Sequence, residues 1–258
     1  CLTIGADPEV FLHDGNQYIS AVGRIGGTKQ SPRKLERVGF AFQEDNVAVE
    51  FNIPPAETMQ AFVESIQWSL TRLETEVAQL GFSVSVVPAA HFPEAELLSP
   101  AARHAGCDPD FNAWTKFMNP RPQVAAGTLR TGAGHVHIGI SLKPKFSRET
   151  FIKSLDLNLG IGSVLFDTDH LRKSLYGKAG AFRPTSYGLE YRVLSNFWLK
   201  SKELMQWVYN GTHAAYHMAE ERGEEFFDGI GTEIVDAINN SDRTLSENLL
   251  KRYAIASL

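Results

Sequence analysis

The stretch Gly127-Thr128-Leu129-Arg130-Thr131-Gly132-Ala133-Gly134-His135-Val136-His137-Ile138-Gly139-Ile140-Ser141 decides the fold class. Its second half alternates, with His135, His137 and Gly139 on one side and Val136, Ile138 and Ile140 on the other. A period of two becomes two faces on a β-strand. The apolar face needs a core. The other carries two imidazoles flanked by glycines, which leaves room for something to be bound. Taken alone, the stretch fits equally a half-exposed strand whose histidines are solvated. Context decides, because three other segments repeat the design.

Toward the N-terminus, Ile4 to Leu12 reads as a first strand. Asp7 and Glu9 are two apart and share a face, with Val10 and Leu12 opposite. Two ionised carboxylates side by side repel, so one holds its proton unless a cation intervenes. Pro8 cannot donate to a ladder, which puts the strand at an edge or a bulge. Asp7-Pro8-Glu9 by itself reads equally as a turn. Gly26-Gly27-Thr28-Lys29 lacks P-loop spacing and reads as a solvated loop rather than a phosphate cradle. Glu44-Asp45-Asn46 leads into a second strand, Val47 to Ile53. There Val47, Val49, Phe51 and Ile53 form an apolar face, and Ala48, Glu50 and Asn52 a polar one. Met59, Phe62, Val63, Ile66, Leu70, Leu73, Val77 and Leu80 recur at helical spacing, predicting a long amphipathic helix closed by Gly81. Phe82 to Val87 reads as another strand.

Residues 88 to 126 show little regular pattern, as in a lid or binding loop. Asp108 and Asp110 either line a substrate entrance or make a turn around Pro109. Beyond the His-x-His strand, Ser147 caps a helix predicted to run to about Phe166, with Gly160 and Gly162 weakening it or allowing close packing. A basic loop follows, with His170, Arg172, Lys173, Lys178 and Arg183. Tyr187 to Leu194 is the fourth strand of the set, placing Glu190 and Arg192 on one face and Leu189, Tyr191 and Val193 on the other. Ser201 to Gly223, Gly231 to Asn240 and Ser241 to Leu258 are helical by pattern. His91, His104, His213 and His217 read as surface or core histidines, and Trp68, Trp198 and Trp207 as packing.

A chain of 258 residues is most simply one α+β domain over 1–258, with a helical C-terminal part from about 196 to 258. Its 43% hydrophobic and 21% charged content is ordinary for a globular protein. A net charge of -5 argues against a nucleic-acid backbone as the main partner. No apolar run approaches the ~20 residues of a membrane helix, and no signal-peptide pattern is visible. Cys1 and Cys107 make no disulfide framework, which favours a cytoplasmic location. Cys107 has no His or Cys at metal-ligand spacing. Cys1 is a processed nucleophile, a lipidated residue, or a start left by loss of an initiator Met or by numbering; strand-like sequence beginning so soon favours the last pair.

Four strands thus place ionisable or polar groups at i and i+2 beside an apolar face. Side by side, they make an antiparallel sheet with helices on one face and a carboxylate- and imidazole-lined trough on the other. Burying Asp7, Glu9, Glu50 and Glu190 together requires compensating charge. Hard divalent cations, Mg²⁺ or Mn²⁺, suit such a site. Arg192 and Arg183, with Arg130 or Lys178, would neutralise a phosphate chain. Metals between carboxylates with nearby Arg describe phosphoryl transfer.

Asp7-Pro8-Glu9, Glu50-Phe51-Asn52, Gly132-Ala133-Gly134-His135-Val136-His137 and Glu190-Tyr191-Arg192 stand in the order of motifs in a known superfamily. Over residues 4 to 200 the sequence resembles the glutamine synthetase-like carboxylate–amine ligases, above all the phage-type COOH·NH2 ligase type 2 (amidoligase) group. The resemblance implies a glutamine synthetase-like catalytic domain: α+β, with a curved, mainly antiparallel sheet, helices on one face and an open metal- and nucleotide-binding trough. It implies an ATP-dependent enzyme that phosphorylates a small-molecule or peptide carboxylate and lets an amine displace the phosphate. Asp7, His135 and Glu190 then hold the metal on the nucleotide phosphates, and Glu9 and Glu50 a second metal nearer the substrate. Arg192 resembles the arginine that stabilises the transferred phosphoryl group. With it, Glu50 and Arg183 are the catalytic candidates, and Arg130, His137, Lys178 and Arg192 itself the nucleotide-binding ones. The first motif has Asp where the synthetases usually have Glu, which shortens its reach. A further acidic ligand is Glu44 or Asp45. Homo-oligomers with shared sites occur among the relatives, and a phage-encoded enzyme would work in the host cytoplasm. The competing readings are a phosphotransferase of the same fold, a metal-dependent amide hydrolase, and a non-catalytic binding descendant. Glu9→Ala and Glu190→Ala are each expected to abolish turnover with little effect on folding, any effect being relief of like-charge repulsion in the metal-free form.

Overall fold

Pro8 sets the layout of the N-terminal half. The computed structural model describes residues 2–103, 110–120, 127–141, 143–167 and 170–258. Cys1, His104, Cys107 and Asp108 lie outside the described residues. In chain order the strands are β1 (Leu2–Ala6), β2 (Glu9–His13), β3 (Tyr18–Ile19), β4 (Arg33–Lys34), β5 (Ala41–Asp45), β6 (Ala48–Asn52), β7 (Ser83–Ser85), β8 (Ala89–His91), β9 (Phe111–Asn112), β10 (Leu129–Thr131), β11 (Val136–Ile140), β12 (Ala181–Pro184) and β13 (Gly188–Tyr191). The helices are α1 (Met59–Ala78), α2 (Pro100–Arg103), α3 (Arg148–Leu155), α4 (Ile161–Phe166), α5 (Lys202–Arg222), α6 (Glu224–Gly229), α7 (Gly231–Asn239) and α8 (Arg243–Arg252).

The expected antiparallel sheet with helices is present, its strands divided between two main sheets. One runs β1-β11-β13-β12-β9; the other runs β3-β2-β6-β5-β4, with β7 also on β2. The strand predicted over Ile4 to Leu12 is therefore two strands. β1 ends at Ala6 and pairs β11, whereas β2 begins at Glu9 and pairs β6. Pro8 has no N–H to give a ladder, and its carbonyl accepts the Phe51 N–H at 3.2 Å as the chain changes sheets. Asp7 and Glu9 consequently do not share one face. Backbone and side chain then tie the sheets together. The Glu9 N–H donates to the Ala133 carbonyl at 2.9 Å, and the Ala133 N–H donates to Glu9 Oε1 at 3.0 Å.

The His-x-His strand is β11, flanked by β1 and β13, with Gly5 and Glu190 opposite His137 in register. Val136 and Ile138 are fully buried, as alternation requires. Gly134 is needed where it stands: a Cβ there would collide with the Ser195 carbonyl and the Trp198 indole nitrogen, which donates to the Gly134 carbonyl at 3.0 Å.

Helix α1 follows its apolar stripe, burying Phe62, Val63, Ile66, Leu73 and Val77, and Thr58 caps it by accepting the Ala61 N–H at 3.1 Å. Ser147 caps α3 in the same way, from the Thr150 N–H at 3.1 Å. The helix predicted to run on to Phe166 is interrupted by a π-helical turn, Asp156–Gly160, between α3 and α4. The C-terminal helical reading holds as α5, α7 and α8, with α6 added between α5 and α7 and α8 ending at Arg252 rather than Leu258. The main core joins both sheets to α1, α3, α5, α7 and α8, and includes Trp198 and Trp207. Ala48, expected on the polar face of its strand, is instead buried with Phe11, Val47, Ala90, Phe92, Leu97 and Ala102. Chain from the 88–103 region covers that side of β2 and β6. Among the described residues, no helix is long and apolar enough to cross a membrane.

Candidate active site

Two acidic groups form where the sheets meet. In the first, Asp7 follows β1, His135 and His137 belong to the β11 segment, and Glu190 lies on β13. His135 Nδ1 is 3.1 Å from Glu190 Oε1. His137 Nε2 is 2.9 Å from Asp7 Oδ1 and 3.9 Å from Glu190 Oε2. Asp7, His137 and Glu190 offer three ligand atoms within 4.8 Å of one another. The structure thus puts His137, alongside the expected His135, against Asp7 and Glu190. Asp7 Oδ1 and His137 Nε2 are buried as an ion pair, with no further hydrogen bond among the described residues. The other imidazole nitrogen of His137 is fixed by the Tyr187 hydroxyl at 3.0 Å.

The second group is Glu9, Asp45 and Glu50, again with ligand atoms within 4.8 Å. Pairing sets it: Glu50 lies opposite Glu9 on one side and Gln43 on the other. The Gln43 amide donates to Glu50 Oε2. Of the two acids preceding Glu50, Asp45 joins the group. Glu44 instead accepts the backbone N–H groups of Gly23 (3.0 Å), Ile25 (3.2 Å) and Gly26 (2.6 Å), shaping that loop. The loop brings Lys29 Nζ to 4.0 Å from Asp45 Oδ2, so the Gly-Gly-Thr-Lys segment abuts the site.

Charge separates the groups. Burial first, and then repulsion from Asp45, pushes the Glu9 carboxyl well above the usual carboxylate range. Burial, then Asp7 and Glu9, does the same to Glu50. Glu190 is the opposite case. Burial favours its neutral form, but His135, Arg192 and His137 together outweigh it and hold Glu190 well below the usual range. Burial, aided by Arg192, lowers His135. Burial also opposes charge on His137, yet Asp7 and Glu190 leave it raised.

Arg192 is buried between two carboxylates. Its Nη1 donates to Glu190 Oε1, and its Nε donates to Asp110 Oδ1. Asp110, offered by the sequence as an entrance or turn residue, is therefore part of the site. Arg183 on β12 sits opposite Glu190 in register. Lys178 lies in the turn into β12, where its carbonyl accepts the Ala181 N–H at 3.1 Å. Arg130 is turned to structural work: it donates to Asn46 Oδ1 (3.2 Å) and to the carbonyls of Gly127 (2.7 Å), Leu129 (2.9 Å) and Ala102 (3.0 Å). Arg172, read only as part of a basic loop, is buried with Nη1 donating to the Val193 carbonyl at 3.1 Å. Burial lowers its pKa, while Asp167, Glu9 and Asp110 favour its charge. Its loop position, outside any periodic strand, hid it.

Residues 126–249, just under half of the chain, match the profile of a family described as phage phiEco32-like COOH·NH2 ligase-type 2. The match bears out the resemblance carried by the His135-Val136-His137 and Glu190-Tyr191-Arg192 motifs, and it supports a carboxylate–amine ligase. Asp7, Glu9 and Glu50 precede the matched segment; folding brings them to it. No curated protein matches the sequence. Among solved structures, the chain is similar to glutamine synthetase from Plasmodium falciparum, at TM-score 0.40 and 8% identity, over 83% of this chain and 52% of that one. It is also similar to a GmaS–ADP complex, at TM-score 0.38 and 11% identity, over 100% of this chain and 71% of that one. The chain spans about half the length of the Plasmodium enzyme.

Proposed function

We propose that the protein is an ATP-dependent carbon–nitrogen ligase that joins a carboxylate to an amine through an acyl phosphate. One observation carries this reading: two acidic groups lie side by side, Glu9, Asp45 and Glu50 in one and Asp7, His137 and Glu190 in the other, each with its ligand atoms within 4.8 Å of one another. Carboxylates buried against one another repel, so such a group suits a cation the protein is built to receive. All-oxygen and oxygen–imidazole donor sets fit Mg²⁺ or Mn²⁺. Asp7, His137 and Glu190, with His135 beside them, would hold one cation; Glu9, Asp45 and Glu50 would hold the other. Bound there, the cations neutralise phosphate charge and polarise the phosphoryl group.

The chain's own residues do the rest. Arg192, held by Glu190 and Asp110, keeps a buried positive charge to offset charge developing on the transferred phosphoryl group. Arg183, opposite Glu190 in register, and Lys178, in the turn that leads to it, would neutralise the nucleotide phosphates. The ATP γ-phosphoryl passes to a carboxylate oxygen and ADP leaves. The amine nitrogen then attacks the acyl carbon, phosphate departs, and the amine gives up a proton. Glu50, a member of the Glu9–Asp45 group, would also orient the reacting carbonyl or amine.

The test begins with calorimetric titration of Mg²⁺ and a non-hydrolysable ATP analogue, followed by a screen of amino acids and peptides for phosphate release and amide formation. One phosphate per amide is expected; a phosphotransferase would release none. Absence of Mg²⁺–nucleotide binding would overturn the proposal.

A further inference from the structure

Asp156 is a fully buried carboxylate outside both acidic groups. It opens the π turn after α3. Its Oδ2 accepts the Trp114 indole N–H at 2.7 Å, and its Oδ1 accepts the Tyr191 hydroxyl at 2.7 Å. Burial raises its pKa to about 6, against the pull of Trp114, Tyr191 and the Gly180 backbone. A carboxylate buried among neutral donors is costly beside an amide or an apolar side chain. Its two partners are not incidental. Tyr191, also fully buried, sits between Glu190 and Arg192 in the sequence of the β13 segment. Trp114 belongs to the loop that begins at Asp110, the second carboxylate on Arg192.

Hydrogen bonds tie the loop at several points. Asn112 Oδ1 accepts the backbone N–H groups of Trp114 (2.9 Å) and Thr115 (3.2 Å), and its Nδ2 donates to Asn119 Oδ1 at 3.0 Å. The Asn119 N–H donates to the Asp110 carbonyl at 2.7 Å, closing the loop at its base. Lys153 Nζ, itself buried, stands 5.3 Å from the centre of the Trp114 ring. Gly180, at φ +78, lets the indole in: a Cβ there would come within 2.6 Å of its Cδ1. Through Asp156 the catalytic strand and the Asp110 loop share one buried fixing point.

We infer that Trp114, Asp156 and Tyr191 are positioning residues that set the Asp110 loop and, through Asp110, the orientation of Arg192. The consequence for phosphoryl transfer rests on the ligase reading; the mechanical coupling does not. The coupling is read without any ligand, from solvent exchange of the Arg192 Nε–H in ¹⁵N NMR, assigned with Arg192→Lys. Trp114→Phe, which deletes the indole donor, should speed that exchange roughly tenfold, the scale of one lost hydrogen bond to a charged group. Asp156→Asn should do so too, and it carries the test if Trp114→Phe does not fold. In an Asp110→Ala background, Trp114→Phe should add nothing further, because the path to Arg192 is already cut. A merely structural anchor would lower the melting temperature and leave Arg192 exchange untouched, which would overturn the inference; equal effects with and without Asp110 would do the same. With active enzyme, Trp114→Phe should reduce kcat while leaving KM for ATP near its original value. If no Mg²⁺–nucleotide binds while the exchange results hold, the ligase reading fails and the coupling stands.

Discussion

Glu50→Gln should make the metal-free protein more stable. Glu9, Asp45 and Glu50 present oxygens within 4.8 Å of one another. At an effective dielectric of ~20, two like charges at that separation repel by about 3 kcal/mol. Burial above all, then Asp7 and Glu9, raises the folded pKa of Glu50, and Glu9 is raised for the same main reason. The folded chain therefore binds protons that the unfolded chain has released. Stability is fullest below the unfolded carboxylate pKa, near ~4.3, and is lost as pH rises through the folded value. The amide removes one of these titrations. Its oxygen still accepts from Gln43, so little hydrogen bonding is lost. After partial protonation is allowed for, the gain near pH 8 should be about 2 kcal/mol, or roughly 5 °C in Tm for a chain of this size. Scanning calorimetry from pH 5 to 9, in EDTA and in excess Mg²⁺, measures it. The advantage should grow with pH in EDTA, and Mg²⁺ should stabilise the unmodified protein more than the variant. A variant less stable than the parent at pH 8 in EDTA, or equally stabilised by Mg²⁺, refutes the reasoning.

Glu9→Ala should relieve like-charge repulsion but lose the Ala133 N–H acceptor, leaving its metal-free fold less stable than that of Glu50→Gln, and should abolish phosphate release in a coupled assay. Glu190→Ala should also abolish it but should cost about 3 kcal/mol of stability by urea unfolding, because Arg192 loses a buried partner; this revises the expectation of relief for Glu190, whose carboxylate is held charged rather than crowded. Tyr187→Phe deletes the hydroxyl 3.0 Å from His137 Nδ1 and should weaken Mn²⁺ binding about tenfold by paramagnetic resonance, with Tm unchanged. Arg130→Ala should lower stability by about 2 kcal/mol in denaturant titration and leave ATP-analogue affinity intact, since its donors already serve loop carbonyls.

Much of the site was legible because strand period is a local property. His135-Val136-His137 and Glu190-Tyr191-Arg192 announce both faces of their strands, and each landed with its polar members in the site and its apolar members in the core. α1 was legible for the same reason at a different period. What stayed hidden depends on contacts distant in sequence. Asp110 becomes a site residue only because β9 pairs β12, which carries its loop to Arg192. Glu44 and Asp45 are neighbours with the same chemistry. They part only because the backbone of residues 23–26 turns its N–H groups toward Glu44. Arg130 shows the converse: a basic residue in a promising stretch whose donors are claimed by nearby carbonyls.

The break at Pro8 explains why there are two acidic groups rather than one. On an unbroken strand, Asp7 and Glu9 would project from one face a few ångströms apart. Their carboxylates would then compete for a single position. Because Pro8 cannot continue the ladder, Asp7 remains at the end of β1, beside His137 and Glu190. Glu9 is carried into the second sheet, opposite Glu50. The hydrogen bonds between Glu9 and Ala133 then lock the second sheet onto the segment that leads into the histidine strand. A three-residue motif thus serves both groups from one point in the chain. The two groups also differ in charge: the first already holds Arg192 and two imidazoles, while the second has Lys29 at its edge. A cation should therefore matter more to the second group, which is why Glu50→Gln, rather than any change at Glu190, isolates the electrostatic argument.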